Sequence, residues 1–383
     1  MRAVNAWIRT PRELEDWLAS LAGCRALALD TESDSLYHHV EKVCLIQVAP
    51  AGGEGRLIDP LFPELVQAGL GALAPLLADP AVTKVLHGAD YDVSTLKRDF
   101  GFSFAGLFDT MLAARFLGRA ELGLAAVARA ELGVELTKGG QKDDWSRRPL
   151  TTRQEQYALA DVQHLGELHD RLRAALEQAG RLAWVLEECD AVAQVPAARR
   201  RKSDDAYLDH KGASRLPRRA LAVLRELFAW REARAEVTNI PPFKIAQNEL
   251  LLALAVAAPT TPAALAAVPG ARHLTRDVPA LLQGIARAQA LPEAELPRVP
   301  APSHGPRMSD AVRKRIEALR ALRTKVARRL ELDISVVLPQ RLIDRIAEVA
   351  PKTLDALAEI DGVRRWRTEI LGEEVLASIG PNG

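Results

Sequence analysis

Cysteine is scarce in this chain: three among 383 residues, at Cys24, Cys44 and Cys189, with no Cys-x-x-Cys pair. That count and spacing exclude a disulfide framework and a zinc knuckle, and they predict a reducing, cytoplasmic setting. No apolar run approaches the roughly 20 residues that a membrane span needs. Residues 1–10 hold no apolar core followed by a small-residue cleavage site, so no membrane contact is expected. Charge of one sign is also lacking: the formal net charge is +1, so any nucleic-acid footprint must come from local patches. No G-x-x-x-x-G-K-[ST] loop is present, which removes the phosphate cradle of a P-loop ATPase. Aromatic residues make up only 5%, too few to interleave the basic runs into base-stacking surfaces.

What is present reads as globular. Hydrophobic residues make up 48% and charged residues 26%, and the length suits two or three domains. The first 180 residues alternate strand-like and helix-like segments. Strands are expected at Ala26 to Asp30, Val43 to Ala49, Arg56 to Asp59, Val82 to His87 and Leu107 to Asp109. Helices are expected at Pro63 to Leu77, Asp92 to Phe100, Thr110 to Leu117 and Thr152 to Ala179. Short turns join the first three strands, which predicts antiparallel pairing, whereas helices separate the later ones, which predicts parallel addition to one mixed sheet.

Beyond residue 180 the strand signals stop. Arg199-Arg200-Arg201-Lys202-Ser203-Asp204-Asp205 reads as a polar linker, and Pro292, Pro297, Pro300, Pro302 and Pro306 crowd a second, semi-rigid one. The helical blocks on either side of the second linker repeat. A shift of 92 residues (351 − 259) places Arg231 on Arg323, Pro259 on Pro351, Thr261 on Thr353, Leu265 on Leu357 and Gly270 on Gly362. Each threonine precedes an apolar helical run that it can cap, and each glycine follows that run where a left-handed residue is needed.

Four carboxylates and a phenol carry the chemistry. Asp30 and Glu32, in Asp30-Thr31-Glu32, end an apolar strand, and residues two apart on a strand share a face. Asp92 follows His87-Gly88-Ala89-Asp90-Tyr91, where a strand enters a turn and then a helix. Tyr157 and Asp161 lie four apart on a helix, stacked on one side. Each has a plain alternative taken singly. Acids are common at strand ends, a first-turn aspartate suits the helix dipole, and a helical tyrosine is most often core. Jointly they form a set of acids without partner cations, and such a set suits hard divalent ions and two-metal phosphodiester hydrolysis.

The set resembles the DEDD exonuclease superfamily, in the ribonuclease D family whose third motif is Tyr-x-x-x-Asp. Asp30-Thr31-Glu32 with the following Cys44-Leu45-Ile46-Gln47, His87 through Asp92, and Tyr157 to Asp161 preceded by Asp144-Trp145-Ser146-Arg147-Arg148-Pro149-Leu150 carry the likeness. The duplicated block is similar to the HRDC domain. The resemblance implies an α/β ribonuclease H-like exonuclease domain, a mixed sheet flanked by helices, followed by two all-α HRDC-like domains. Boundaries are expected at 1–205 for the exonuclease, 206–292 for the first module, 293–307 for the Pro-rich linker and 308–383 for the second module. The implied activity is two-metal-ion 3′→5′ exoribonuclease action that releases nucleoside 5′-monophosphates. The implied substrates are 3′ ends of tRNA precursors and other small structured RNAs, and nothing demands more than a monomer.

By the same resemblance Asp30 bridges two divalent ions, Mg²⁺ or Mn²⁺, Glu32 and Asp161 complete the water-activating site, and Asp92 supports the second ion directly or through water. Tyr157, a phenol with a pKa of about 10, is a poor base at neutral pH and is expected to orient the attacking water. Relatives often carry Phe where this chain has Ser33, which leaves the wedging contact of that position open. His87 and Asp109 match family positions that are not metal ligands, and a structural or substrate-positioning role is expected for both. Substrate contacts are expected from His87 and Arg148, and from Arg320, Arg323, Lys325 and Arg328 in a basic run that otherwise reads as a solvated helix face. A DNA-directed 3′→5′ exonuclease shares the quartet and remains the competing reading. A nucleic-acid-binding scaffold with an inactive core is the non-enzymatic one.

Overall fold

The computed structural model of the chain describes residues 6–136, 139–198, 205–299 and 309–380. Residues 199–204 and 300–308, which hold most of the two expected linkers, lie outside the described residues. The described chain divides into two compact units, one of residues 1–33, 43–198 and 306–383, the other of 34–42 and 199–305.

The first unit is built on a six-stranded sheet in the order β1-β4-β3-β2-β5-β6. Its strands are β1 (Trp7–Ile8), β2 (Ala26–Ser33), β3 (Val43–Pro50), β4 (Arg56–Ile58), β5 (Thr83–Leu86) and β6 (Leu107–Asp109). β2, β3 and β4 pair antiparallel, while β5 and β6 add in parallel, as the connection lengths predict. β1 was not expected: two residues are too few to show a period, and pairing with β4 is what makes them a strand.

Around the sheet run α1 (Pro11–Ser20), α2 (Pro63–Ala68), α3 (Ala74–Ala78), α4 (Asp90–Phe100), α5 (Thr110–Phe116), α6 (Leu124–Leu132), α7 (Thr152–Gln163), α8 (Leu165–Gln178) and α9 (Leu182–Ala193). The single helix expected over 152–179 is two, broken at His164, whose φ of −103° and ψ of −2° leave the helical path. That break lets α7 lie against β3 and β2 while α8 runs under β2 and β5. The core is continuous from Leu27, Leu29 and Val85 on the sheet to Leu168, Leu172 and Leu176 on α8.

The two helical modules repeat their first four helices at the shift read from the sequence. The first has α10 (Arg218–Thr238), α11 (Pro242–Ile245), α12 (Asn248–Ala257), α13 (Pro262–Ala267) and α14 (Val278–Ala290). The second has α15 (Asp310–Leu330), α16 (Ile334–Val337), α17 (Gln340–Val349), α18 (Leu354–Ala358) and α19 (Arg365–Ile379). α15 starts 92 residues after α10 (310 − 218). The left-handed residues Asn239, Ala258 and Gly270 recur as Glu331, Ala350 and Gly362 at the same spacing. Thr261 and Thr353 cap α13 and α18 by accepting the N–H of Ala264 and Ala356, each at 3.2 Å.

Arg231 and Arg323 also repeat, with a shared role. Arg231 is buried and donates to the Ala246 carbonyl at 3.0 Å, while Arg323 donates to the equivalent Leu338 carbonyl at 3.4 Å. Half-buried Arg323 thus braces its module at the carbonyl that follows α16, as Arg231 does at the one that follows α11.

The second module packs on the nuclease core within the first unit. Glu187 of α9 accepts the backbone N–H of Arg365 and Trp366, and Trp184 stacks on Trp366 at 5.0 Å. Glu188 pairs with Arg367 and Arg364, and the arginines hold its carboxyl below the usual range. In the second unit, Asn239 accepts the N–H of His39 at 3.2 Å, and the Lys244 ammonium lies 4.3 Å from the Tyr37 ring. Among the described residues no helix is long and apolar enough to cross a membrane.

Candidate active site

β2 pairs with β5 only through Ala28, so Asp30, Thr31 and Glu32 run on beyond the end of β5. They stay in register with β3, Asp30 opposite Gln47 and Glu32 opposite Leu45, and a bulge after Glu32 ends the regular strand. The overhang creates a crevice at the carboxyl ends of parallel strands beside an antiparallel one, where α/β sheets place ligands. The first turn of α4 follows β5 across that crevice and carries Asp92.

Asp109 fixes this turn. Its buried carboxylate accepts the N–H groups of Gly88 and Ala89, each at 2.9 Å, and of Met111 at 2.8 Å and Leu112 at 3.2 Å. One side chain thus caps α5 and ties down the entry to α4. Gly88 has φ +76°, and an added Cβ would lie 3.2 Å from Met111 Cε, so glycine is required there. The Thr31 hydroxyl completes the arrangement by donating to the Asp92 carboxylate.

α7 brings the rest. Thr151 caps it in a reciprocal box with Gln154, and Ala158 and Val162 bury the opposite face. The ligand oxygens of Asp30, Glu32 and Asp161 then lie within 4.8 Å of one another. Asp92 stands outside that trio but acts on Asp30 electrostatically, and Asp143 acts on Glu32 in the same way. Asp143 and Thr31 were not singled out from the sequence, since neither lies at a family acid position.

Tyr157 sits in a closely fitted seat. Its ring lies 6.1 Å from buried Trp145, whose indole N–H donates to the Gly140 carbonyl at 3.2 Å. A Cβ on Gly140 would fall 2.5 Å from Tyr157 Cδ1. Gly140→Ala is therefore expected to push the phenol off its position. We expect kcat to fall by about 100-fold, as misplacement near 1 Å does, while overpacking lowers stability by about 1–3 kcal/mol. Steady-state kinetics beside a thermal melt check this, and wild-type kcat would show the seat to be loose.

The electrostatics follow from crowding. Burial, then the neighbouring Asp92, Asp161 and Glu32 charges, pushes the Asp30 carboxyl well above the ordinary aspartate range. Burial and the Asp161 and Asp92 charges push Glu32 up to about 9. Burial raises Asp92 to about 7, against the opposing Thr31 hydrogen bond, and raises Asp161 to about 6. The Tyr157 phenol is raised, first by burial and then by the Asp161 and Glu32 charges, and it shares a hydrogen bond with Asp161. A phenol held protonated in this way donates a hydrogen bond and does not accept a proton.

Divalent cations fit these residues. The donors are all hard oxygens, they converge, and among the described residues no Lys or Arg neutralises them. Opposite Asp30, the fully buried Gln47 amide has no partner among the described residues for either its oxygen or its nitrogen, as expected beside a site completed by ions and their water.

Two expected substrate ligands are placed elsewhere. The Thr110 hydroxyl donates to the Leu86 carbonyl at 3.0 Å, so its oxygen accepts from His87 Nδ1–H at 2.9 Å. Burial holds the imidazole below its ordinary pKa, against the Asp109 charge and a Leu122 backbone hydrogen bond that oppose it. His87 is a neutral brace of the β5–α4 turn. Arg148 uses all its donors inside the fold. Nε and Nη2 grip buried Asp59 at 2.7 Å each, Nη2 also reaches the Cys44 carbonyl, and Nη1 reaches those of Trp145 and Arg147. Five N–H groups with five acceptors leave none for RNA. Arg320, Lys325 and Arg328 do remain on the exposed surface, with Arg320 on Gln340 and Lys325 on Glu374.

A 3′-5′ exonuclease family model matches residues 5–177, and an HRDC domain model matches 220–285 and 312–379. Ribonuclease D of Pseudomonas paraeruginosa is 34% identical, with 97% of each chain covered. The crystal structure of Escherichia coli RNase D, an exoribonuclease involved in structured RNA processing, matches with a TM-score of 0.70 at 27% identity, covering 97% of this chain and 98% of that one. The catalytic core of RRP6 from Trypanosoma brucei matches with a TM-score of 0.66 at 28% identity, over 74% of this chain and 80% of that one. With an exonuclease domain, two HRDC domains and an acidic cluster at the strand ends, the chain belongs to the ribonuclease D family of 3′→5′ exoribonucleases.

Proposed function

We propose that this exoribonuclease trims the 3′ ends of small structured RNAs, tRNA precursors among them, in the cytoplasm and as a monomer. It removes one nucleoside 5′-monophosphate at a time. The convergence of Asp30, Glu32 and Asp161 within 4.8 Å, with Asp92 beside them, carries this reading. Asp30, Glu32 and Asp161 would hold one divalent cation, and Asp30 with Asp92 a second. Bound there, such ions supply a nucleophilic water at neutral pH and stabilise the leaving 3′-oxygen. The protein's own part is positional. Thr31 aims Asp92, Asp109 fixes the turn before it, and Tyr157 offers its hydroxyl proton to orient the attacking water.

The exposed Arg320 and Arg328 lie eight residues apart on one side of α15, with Lys325 beside them, and suit phosphate tracking. Arg320→Ala with Arg328→Ala is expected to raise KM for a long RNA several-fold. It should lower the slope of log K against log salt by roughly 0.7 for each single-strand phosphate no longer neutralised. Arg323→Ala, by contrast, is expected to lower the melting temperature and leave the salt slope unchanged. Binding isotherms across a salt series separate the two; an unchanged slope in the double variant would remove α15 from the RNA path.

A denaturing-gel time course on a 5′-labelled stem-loop RNA with a single-stranded 3′ tail, beside its DNA counterpart, tests the function. Stepwise shortening of RNA from the 3′ end in Mg²⁺ or Mn²⁺ is expected, stopping near the stem. Equal or faster loss of DNA would favour the DNA-directed reading.

A further inference from the structure

Tyr91 directly precedes Asp92, yet its ring is 46% exposed while Asp92 is 7% exposed. A large aromatic side chain at the mouth of an acidic crevice gains nothing from the core. Its position is nevertheless fixed, because the Tyr91 hydroxyl lies 3.0 Å from Ser33 Oγ. Ser33 directly follows Glu32. The ring therefore spans the mouth between the two segments that carry the carboxylates, one link outside the Thr31–Asp92 hydrogen bond. The Tyr91 carbonyl accepts from the Ser94 and Thr95 hydroxyls, each at 2.9 Å, which secures the backbone beneath the ring. The other aromatics near the cluster are unsuited to this place, since Trp7 and Trp145 are buried and Tyr157 is packed on Trp145.

We infer that Tyr91 is a base-stacking residue for the 3′-terminal segment of the RNA, held in its stacking pose by Ser33. The inference rests on the proposed entry of an RNA 3′ end at the carboxylate cluster. An exposed aromatic ring beside a nuclease site offers a base a π-face, and such stacking tolerates every base. Anchoring the phenol in advance reduces the side-chain freedom lost when a base docks. Ser33 thus does by hydrogen bonding what its small side chain does not do by contact.

The test uses the full chain and a tailed RNA carrying a single abasic site at the last, second-last or third-last position. Binding is measured in the Asp161→Asn background and turnover in the otherwise native protein. Tyr91→Ala is expected to weaken RNA binding about tenfold and to raise KM with it, while kcat at saturation stays within about twofold. Tyr91→Phe should bind nearly as the parent, and Ser33→Ala should fall between. At one tail position the abasic site should cost the parent about tenfold and cost the Tyr91→Ala variant little. An abasic penalty equal in parent and variant at every position would overturn the inference, as would a fall in kcat or melting temperature with unchanged affinity. Absence of 3′ shortening by the unmodified protein would instead defeat the proposed function on which the inference stands.

Discussion

Asp161→Asn is expected to reduce RNA turnover by on the order of 1,000-fold while making the metal-free protein more stable at pH 8. Both effects come from one carboxylate. Asp161 belongs to the trio whose oxygens converge within 4.8 Å, so an amide in its place removes a charged ligand without changing side-chain size. In the metal-free protein the same charge opposes Glu32 and Asp30. The direction with pH follows from the raised values. Glu32 goes from an ordinary 4.5 to about 9, Asp92 from 3.8 to about 7 and Asp161 from 3.8 to about 6, with Asp30 raised as well. Between those limits the folded state binds protons that the unfolded chain has released, so metal-free stability falls as pH rises from about 4 towards about 9. Relief of one buried like charge should raise the metal-free melting temperature at pH 8 by about 2–4 °C. Stabilisation by added Mn²⁺ should shrink in the variant. Melts at pH 5 and pH 8, with and without Mn²⁺, check this, and a variant less stable at pH 8 would show that the Tyr157 hydrogen bond to Asp161 outweighs the like-charge repulsion.

Arg148→Ala is expected to lower stability by about 3–5 kcal/mol, because the buried Asp59 carboxylate then keeps only the Arg9 guanidinium at 3.9 Å and the Leu61 N–H at 3.1 Å. Asp59 is 1% exposed, and it loses both prongs of the guanidinium fork, while three backbone carbonyls lose their donor. The melting temperature should drop by on the order of 10 °C. Arg148→Lys should recover little of this, since one ammonium cannot match a five-donor fork. A denaturant melt of each variant checks the stability. KM for RNA, measured where the variant is still folded, should be close to normal. A raised KM with normal stability would restore Arg148 to the substrate.

These two sites show what could be read from residues alone. Strand and helix periods put Asp30 with Glu32, and Tyr157 with Asp161, on shared faces, whereas the place of Asp92 beside them was an expectation from the family resemblance. The mixed sheet was legible because turn lengths fix strand direction. The duplication was legible in single unlike positions, and the left-handed pairs Asn239/Glu331 and Ala258/Ala350 bear it out. Arg148 was misread for a physical reason, whereas a structural role was already one of the two expected for His87. A polar side chain that satisfies buried carbonyls or a buried acid looks in sequence like one waiting for a ligand, and the partners that decide it here, Asp59 and Cys44, are 89 and 104 residues away. Thr31 and Tyr91 were passed over because their neighbours Asp30, Glu32 and Asp92 drew the chemistry to themselves. Only the tertiary approach of β2 to α4 shows that each binds across the gap.

Titration calorimetry of Mn²⁺ into the metal-free protein at pH 7.5, in two buffers of different ionisation enthalpy, tests the central claim most directly. Glu32, pushed up to about 9, holds a proton at that pH, and a bound cation must displace it. The expected result is two ions per chain with release of at least one proton, and loss of the tighter ion in Asp161→Asn. Unchanged binding in that variant, or binding without proton release, would contradict the assignment of the carboxylate cluster as the catalytic metal site.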